Sequence, residues 1–188
     1  MSRKYRFYNP EGIYFVSFAT VYWLDVFVRQ NYFSTMAESL EYCRKEKGLL
    51  LFAYCILPSH VHLIFKDKNN DPGNLLKEIK TFTSKQLQAQ IKENPRESRK
   101  EWLLWFMQRA GKKNSNVKKS QFWQQNNKPI ELWSRKVIEQ KIAYIHNNPV
   151  ESGFVTKPEQ WKYSSASNYA KMEEAIEIDK INERLYIK

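Results

Sequence analysis

The sequence predicts an α+β fold, in which helices pack on one face of an antiparallel sheet. Three observations predict it: runs of β-branched and aromatic residues of strand length, apolar residues repeated at helical spacing, and the order strand, helix, strand, strand, helix, strand, helix. Ferredoxin-like and RRM-like folds have this order of elements, so we expect a fold of that type. The 188 residues fit a single domain spanning 1–188, because domains usually contain about 100 to 200 residues.

The first strand and the first helix are predicted near the N-terminus. Residues 12–20 follow a Pro-Glu pair and are rich in β-branched and aromatic side chains, which is typical of a buried strand. Residues 32–47 then predict a helix that ends at Gly48. Its apolar residues recur at spacings of three or four, namely Phe33, Met36, Leu40 and Cys43.

Two adjacent strands and a second helix are predicted next. The apolar segments 49–57 and 60–65 are separated only by Pro58-Ser59, which predicts two strands joined by a tight turn. After the turn signal Asp71-Pro72-Gly73, apolar residues at helical spacing with lysines between them predict a helix that ends before Asn94.

A basic insertion is predicted over residues 95–119. It holds many positive charges together with Trp102 and Trp105, and residues 111–116 have the composition of a mobile loop. The Phe-Trp pair at 122–123 suits a further strand.

The last predicted helix runs from Arg135 to Asn147. Pro149 would close it, because proline disfavours helical geometry in the residue before it. The charged C-terminal tail, about 171–188, is expected either to cap the domain or to stay loose.

The net charge is +11, and nearly all of the excess lies in the middle of the chain. Residues 66–136 contain 17 basic and 7 acidic residues, whereas the segments on either side are close to neutral. Such a field attracts polyanions, of which nucleic acid is the commonest in the cytoplasm. A generic basic surface is the alternative interpretation, because charge reports on partners and solubility rather than on fold.

The composition excludes membrane-spanning and disulfide-scaffold classes of protein. No stretch approaches the roughly 18 to 20 apolar residues that a membrane span needs, and the N-terminus lacks the apolar run of a signal peptide. The two cysteines, Cys43 and Cys55, can form at most one bridge and lack metal-finger spacing, which predicts reduced thiols. We therefore expect a cytoplasmic protein that does not act at a membrane.

Two histidines form the first candidate site. His60 and His62 are two apart in a predicted strand, so their side chains point to the same face of the sheet. A pair of imidazoles binds a divalent metal if further oxygen or nitrogen ligands come from elsewhere in the fold. The motif is weak in isolation, and polar histidines on an edge strand are the alternative interpretation.

A helical stripe forms the second candidate site. Residues four apart lie about 40° apart around a helix axis, so Gln140, Tyr144 and Asn148 share one side of the last helix. This places a possible nucleophile and a possible metal ligand on one surface. For a lone helical tyrosine, ordinary packing is the more common role. His146 lies about 200° from Tyr144 and is not expected in the same site.

Four segments, taken in order, resemble those of one protein family. Residues 54–64, which include His60-Val61-His62, resemble the HUH signature of single-tyrosine transposases, where U is a bulky apolar residue. Residues 143–155 resemble their catalytic helix and its exit, and residues 158–166 the stretch that follows in the REP-associated tyrosine transposases. Phe122-Trp123-Gln124 also falls where that group has a Trp-Gln strand.

The resemblance implies a metal-dependent tyrosine transposase, a single-strand DNA endonuclease and strand transferase. Tyr144, on a C-terminal catalytic helix, would attack a phosphodiester of hairpin-forming single-stranded DNA, leaving a 5′-phosphotyrosine and a free 3′-OH. His60, His62 and Asn148 would hold Mg²⁺ or Mn²⁺. Some relatives carry glutamine in place of Asn148. Relatives act either as homodimers that share their active sites or as monomers.

The middle segment supplies candidate contacts with nucleic acid. Lysines can neutralise phosphates, and tryptophans can stack on unpaired bases, although each tryptophan taken singly is more often a core residue. The predicted phosphate-binding lysines are Lys77, Lys80, Lys112, Lys113, Lys118 and Lys119.

Two other functions remain open from the sequence. A domesticated, catalytically silent protein of the same fold would bind single-stranded nucleic acid without cleaving it. An RRM-like RNA-binding protein would expose aromatic residues on its sheet face, and it would give no reason for the paired histidines.

Overall fold

The computed structural model describes residues 6–115, 119–125 and 127–181, and within them a four-stranded antiparallel sheet is the central element. Its strands are β1 (Tyr14–Ala19), β2 (Leu49–Ile56), β3 (His60–Asp67) and β4 (Ile130–Glu131), in the order β2-β3-β1-β4. The β1–β3 register pairs Ser17 with His62 and Ala19 with His60. The predicted α+β class is confirmed.

Five helices accompany the sheet in the described part of the chain. They are α1 (Gln30–Glu46), α2 (Pro72–Glu93), α3 (Lys100–Lys112), α4 (Arg135–Glu151) and the short α5 (Ala166–Tyr169). The first two helices are those that the sequence predicts, because apolar residues at spacings of three and four form the face that each helix buries. None of these helices is long and apolar enough to cross a membrane.

The two faces of the sheet have separate apolar clusters. Because side chains alternate along a strand, Val16 and Leu63 point to the cluster shared with α1, α2 and α3. Phe15 and Ile64 point to the other cluster, which includes Ile138 and Ile145 of α4. Two of the predicted helices, α1 and α2, therefore share one face, and the C-terminal helix α4 lies against the other.

The basic insertion 95–119 contains a helix that the sequence analysis missed. Leu103, Met107 and Ala110 are buried at spacings of four and three, so α3 has an apolar face despite its charges. The prediction of a mobile loop beginning at residue 111 was wrong for residues 111–112, which belong to α3. Gly111 lies against the backbone of Ser120, where an added Cβ would come within 2.8 Å of its Cα.

Two other boundaries differ from the predicted ones. The pair 122–123 forms no strand, because Trp123 makes only an isolated bridge to Thr20, and the fourth strand is the two-residue β4. Helix α4 continues through Pro149 to Glu151 instead of ending at Asn147. Proline cannot donate to the carbonyl four residues earlier. The helix nevertheless continues, because the Ser152 amide donates to the Asn148 carbonyl at 2.9 Å and the Phe154 amide to the Pro149 carbonyl at 3.0 Å.

The described part of the tail, up to residue 181, contacts the outer edge of β2. The amide of Asp179 donates to the Leu51 carbonyl at 2.7 Å, and the Asp179 carboxylate accepts from the Leu51 amide at 2.9 Å. Arg44 of α1 donates to the same carboxylate at 3.2 Å. This segment therefore satisfies backbone groups that an edge strand would otherwise expose.

A buried carboxylate connects α1 to the segment before α3. Glu97 accepts hydrogen bonds from Arg29 at 2.8 Å and from Arg99 at 2.9 Å, and the Tyr32 hydroxyl lies 3.2 Å from it. Burial alone would raise the pKa of Glu97, but the bonds from Arg99 and Arg29 outweigh burial and lower the pKa to about 2.

We expect Glu97→Ala to lower the free energy of unfolding by about 2 kcal/mol at pH 7, because two guanidinium groups lose their buried partner. A glutamate in an unfolded chain has a pKa of about 4.3, so this contribution is present above that pH and is lost as the pH falls toward 2. Urea denaturation at pH 7 and pH 3 measures both effects. Glu93→Ala, at an exposed position of α2, is the control and should change stability by less than about 0.5 kcal/mol.

Candidate active site

The start of β3 brings His60 and His62 onto the sheet face that α4 covers. The centroids of the two rings are 4.8 Å apart, and the rings are nearly perpendicular. Nδ1 of His60 lies 3.2 Å from the Ser59 hydroxyl. His62 is only 3% exposed, and neither of its ring nitrogens has a hydrogen-bond partner among the described residues.

Both imidazoles favour the neutral form. Burial, together with the positive charges of His60 and Lys141, lowers the pKa of His62 to about 3. Burial also lowers the pKa of His60, although a hydrogen bond with Asn148 and the charge of Asp25 act in the opposite direction. Neutral imidazole is the form that binds metal ions, so these rings need no deprotonation near neutral pH.

Helix α4 brings a phenol and an amide to the same place. The Tyr144 ring lies 5.5 Å from the His62 ring and 6.0 Å from the Phe15 ring, and the side chain is 42% exposed. Asn148, one turn later, lies close enough to His60 for its amide to favour the protonated imidazole. The structure thus brings together all four residues that were predicted as the catalytic and metal-binding set.

These residues fit a divalent metal ion. The two nitrogens of His62 are buried without partners, which is costly unless a ligand satisfies one of them. With His60 and the Asn148 side-chain oxygen, the site offers two imidazoles and an amide, a set that suits Mn²⁺ and, less well, Mg²⁺. No group of three or more histidine, cysteine or acidic residues that could hold a metal occurs in the described ranges, so further ligands would be water or substrate oxygens.

Lys141 is a site residue that the sequence analysis missed. Its ammonium lies 5.2 Å from the centre of the Tyr144 ring and 4.9 Å from the centre of the Phe15 ring. The signal that could have found it is its position three residues before Tyr144, which puts both side chains on one side of a helix. It adds a positive charge where a phosphate would approach the tyrosine.

His146 lies outside this site, as its angular position on the helix predicts. Its Nε2 is 2.8 Å from the Ser165 hydroxyl, and its ring contacts that of Tyr169 at 5.0 Å. Burial lowers the pKa of His146 to about 4. His146 therefore links α4 to α5 and to Ser165, the residue before α5.

The predicted lysines lie in different surroundings. Lys77, Lys80 and Lys119 line an open groove of about 980 Å³ between α2 and residues 119–125 and 127. Within it, the Lys80 ammonium donates to the Gln124 carbonyl at 2.8 Å and to Asn127, and burial lowers its pKa to about 8. Lys80 is thus held by internal partners.

Lys112 and Lys113 are exposed at the end of α3, and Lys118 lies outside the described residues.

Comparisons with known proteins confirm the resemblance that the motifs carry. The chain is 28% identical over 128 residues to a Haemophilus influenzae protein assigned to the REP-associated tyrosine transposases. That match spans 64% of this chain and 61% of the relative. No family model matches the sequence.

A solved structure, a REP-associated tyrosine transposase bound to a REP hairpin, has a similar fold. Its TM-score is 0.64, with coverage of 97% of this chain and 94% of the other, at 15% sequence identity.

Proposed function

We propose that this protein cleaves and rejoins single-stranded DNA beside a hairpin, through a covalent link to Tyr144 and with the help of a divalent metal ion. The proposal rests on one observation: the side chains of Tyr144 and Asn148 lie beside those of His60 and His62, which come about 80 residues earlier in the chain. The similarity to REP-associated tyrosine transposases supports hairpin-forming DNA as the substrate. A cytoplasmic location is part of the proposal.

The chemistry is a displacement at phosphorus. The Tyr144 hydroxyl oxygen forms a bond to a phosphodiester phosphorus as the bond to the 3′ oxygen breaks, so the DNA gains a 5′-phosphotyrosine and a free 3′-OH. The phenol proton leaves, and the 3′ oxygen takes up a proton. A metal ion bound to His60, His62 and Asn148 would polarise the phosphate and offset the charge that develops on the 3′ oxygen.

The chain's own residues position and assist this step. Phe15 and His62 contact the Tyr144 ring from the sheet side and leave its outer part exposed to a substrate. Lys141 places its positive charge where the attacking oxygen and the phosphate carry negative charge. Since the phosphotyrosine conserves the phosphodiester energy, a second 3′-OH can attack it and restore the phosphodiester without an external energy source.

The two alternative functions fit the structure less well. An RNA-binding sheet face needs exposed aromatic residues, but Phe15, on the face that carries the histidines, is only 5% exposed beside α4. A silent DNA-binding protein would have no use for an exposed tyrosine beside two partnerless ring nitrogens. Covalent chemistry at a metal site makes use of both features, which supports the proposal.

A covalent-adduct assay tests the proposal. The protein is incubated with a labelled library of hairpin oligonucleotides that carry single-stranded flanks, in Mn²⁺, in Mg²⁺ or in EDTA, and then denatured. We expect a metal-dependent labelled band at the protein's mass plus that of the DNA fragment. Tight, salt-sensitive binding without an adduct from any library member would favour the silent binding protein.

The open groove lined by Lys77 and Lys119 contributes phosphate contacts, and the salt dependence of binding measures their number. We expect Lys77→Gln and Lys119→Gln each to reduce the slope of log K against log salt by about 0.7, the value for one phosphate contact with a single strand. Fluorescence anisotropy at several salt concentrations measures the slope. Lys92→Gln, exposed at the far end of α2, is the control and should leave the slope unchanged.

A further inference from the structure

We infer that a line of aromatic side chains beside the candidate active site stacks on unpaired nucleotides of the DNA. The inference rests on the proposed function, since it assigns the unpaired flank of the hairpin to one surface. We call this surface the aromatic line. Its members are Trp23, Tyr22, Phe106, Trp105 and Trp102.

The aromatic line begins at the histidines and ends on α3. The Trp23 ring contacts the His60 ring at 5.3 Å, and the neighbouring Tyr22 ring contacts that of Phe106 at 5.4 Å. Phe106 in turn contacts Trp105 at 4.8 Å and Trp102 at 5.6 Å. A single DNA strand that leaves the active site on this side would therefore pass over one aromatic ring after another.

Four of the five side chains are exposed although they are large and apolar, and Phe106, between them, is half-buried. Trp23 is 57% exposed, Trp105 51%, Trp102 46% and Tyr22 45%. Helix α3 buries its opposite side through Leu103 and Met107, so its tryptophans are not needed for the core. Neighbouring exposed aromatic residues on a monomer generally mark a binding surface.

The turn that presents two of the rings is conformationally strained. Tyr22 and Trp23 have φ angles of 56° and 57°, a left-handed conformation that bulky residues rarely adopt. Thr20 holds the turn, because its hydroxyl contacts the carbonyls of Leu24 at 2.7 Å and Ser59 at 3.1 Å. A structure that maintains such strain next to a candidate active site points to a functional use of the presented side chains.

Charge identifies the occupant as a nucleic acid strand. The Arg109 guanidinium lies 5.1 Å from the centre of the Trp105 ring, and exposed Lys112 and Lys113 follow at the end of the helix. Flat rings next to cations suit bases joined by phosphates, since every base has a stacking face and every linkage a negative charge. A hydrophobic protein partner would not require these cations. The surface is also continuous with the site at which Tyr144 would cut.

The test compares two hairpins that share one stem and loop. One is blunt, and the other carries an unpaired flank of about six nucleotides, on either the 5′ or the 3′ side. Binding of each to Trp23→Ala and Trp105→Ala is measured by anisotropy, with the tryptophan-to-phenylalanine variants as rescue. Tyr42→Ala removes a similarly exposed aromatic from α1 and is the matched control.

We expect the flank to strengthen binding to the unsubstituted protein. Each alanine variant should lose about 5- to 100-fold of the affinity for the flanked hairpin and little for the blunt one, since one stacked base is lost. Phenylalanine should restore most of the loss, and Tyr42→Ala should change nothing. A flank that adds no affinity, or alanine variants that weaken the blunt hairpin equally, would overturn the inference. If the unsubstituted protein binds neither hairpin, the proposed function itself fails.

Discussion

Tyr144→Phe should abolish the covalent protein–DNA adduct, by at least about 1,000-fold in rate, because the substitution removes the only atom that forms the new bond to phosphorus. The phenyl ring keeps its contacts with His62 and Phe15, so the fold and the sheet-side wall of the site are preserved. Hairpin affinity should stay within about twofold, since binding energy comes from phosphates and bases elsewhere on the surface. The measurement combines adduct yield over time with anisotropy on the same DNA.

Other tyrosines serve as controls for this substitution. Tyr42→Phe, on the exposed side of α1, should retain full adduct formation. Digestion of the adduct and mass spectrometry should locate the phosphate on the peptide that contains Tyr144. An adduct that persists in Tyr144→Phe, or that maps to a different tyrosine, would assign the nucleophile to another residue and remove α4 from the mechanism.

The residues of the candidate site could be predicted from the sequence, but the packing that brings them together could not. Strand alternation places His60 and His62 on one face, and helical spacing places Tyr144 and Asn148 on one stripe. Neither pattern predicts that α4 packs against that face of the sheet. The buried residues that hold the helix there, Ile138 and Ile145, are typical of any amphipathic helix. Only the family resemblance joined the two motifs.

The elements that sequence reasoning missed share one physical cause. In α3, Lys100, Arg109 and Lys112 give the segment the composition of a basic loop, and its apolar face is only one residue wide at each turn. In α4, Pro149 predicts an end at Asn147, but backbone bonds to the carbonyls of Asn148 and Pro149 close the last turn beyond it. The left-handed conformation of Tyr22 and Trp23 has no signal in the local sequence, since one of the bonds that hold the turn joins Thr20 to the distant Ser59. Local patterns fail where tertiary contacts decide.

The second large effect is expected at His62, where His62→Leu should make the metal-free protein more stable. Both ring nitrogens of His62 are buried without hydrogen bonds, so the native state carries a desolvation cost. Leucine has a similar volume and no polar atom. We expect the free energy of unfolding in EDTA to rise by about 1–2 kcal/mol, with a Tm higher by about 2–8 °C for a chain of this size.

The same substitution should remove the stabilisation that a metal ion provides. A ligand that binds only the native state adds about 2.7 kcal/mol to the free energy of unfolding when its free concentration is 100 times its Kd. The unsubstituted protein should therefore gain stability on titration with Mn²⁺, whereas His62→Leu should not respond. Urea denaturation in EDTA and in increasing Mn²⁺ measures both effects on one scale.

His146→Leu provides the control, because His146 is half-buried and, unlike His62, hydrogen-bonds to Ser165. It should lose about 1 kcal/mol of stability in EDTA and keep its response to Mn²⁺. A His62→Leu protein that is less stable in EDTA would mean that His62 serves packing rather than ligation. An unchanged Mn²⁺ response would remove His62 from the metal site. A gain in stability together with the loss of that response is the combination expected of a residue that the fold tolerates only for its chemistry.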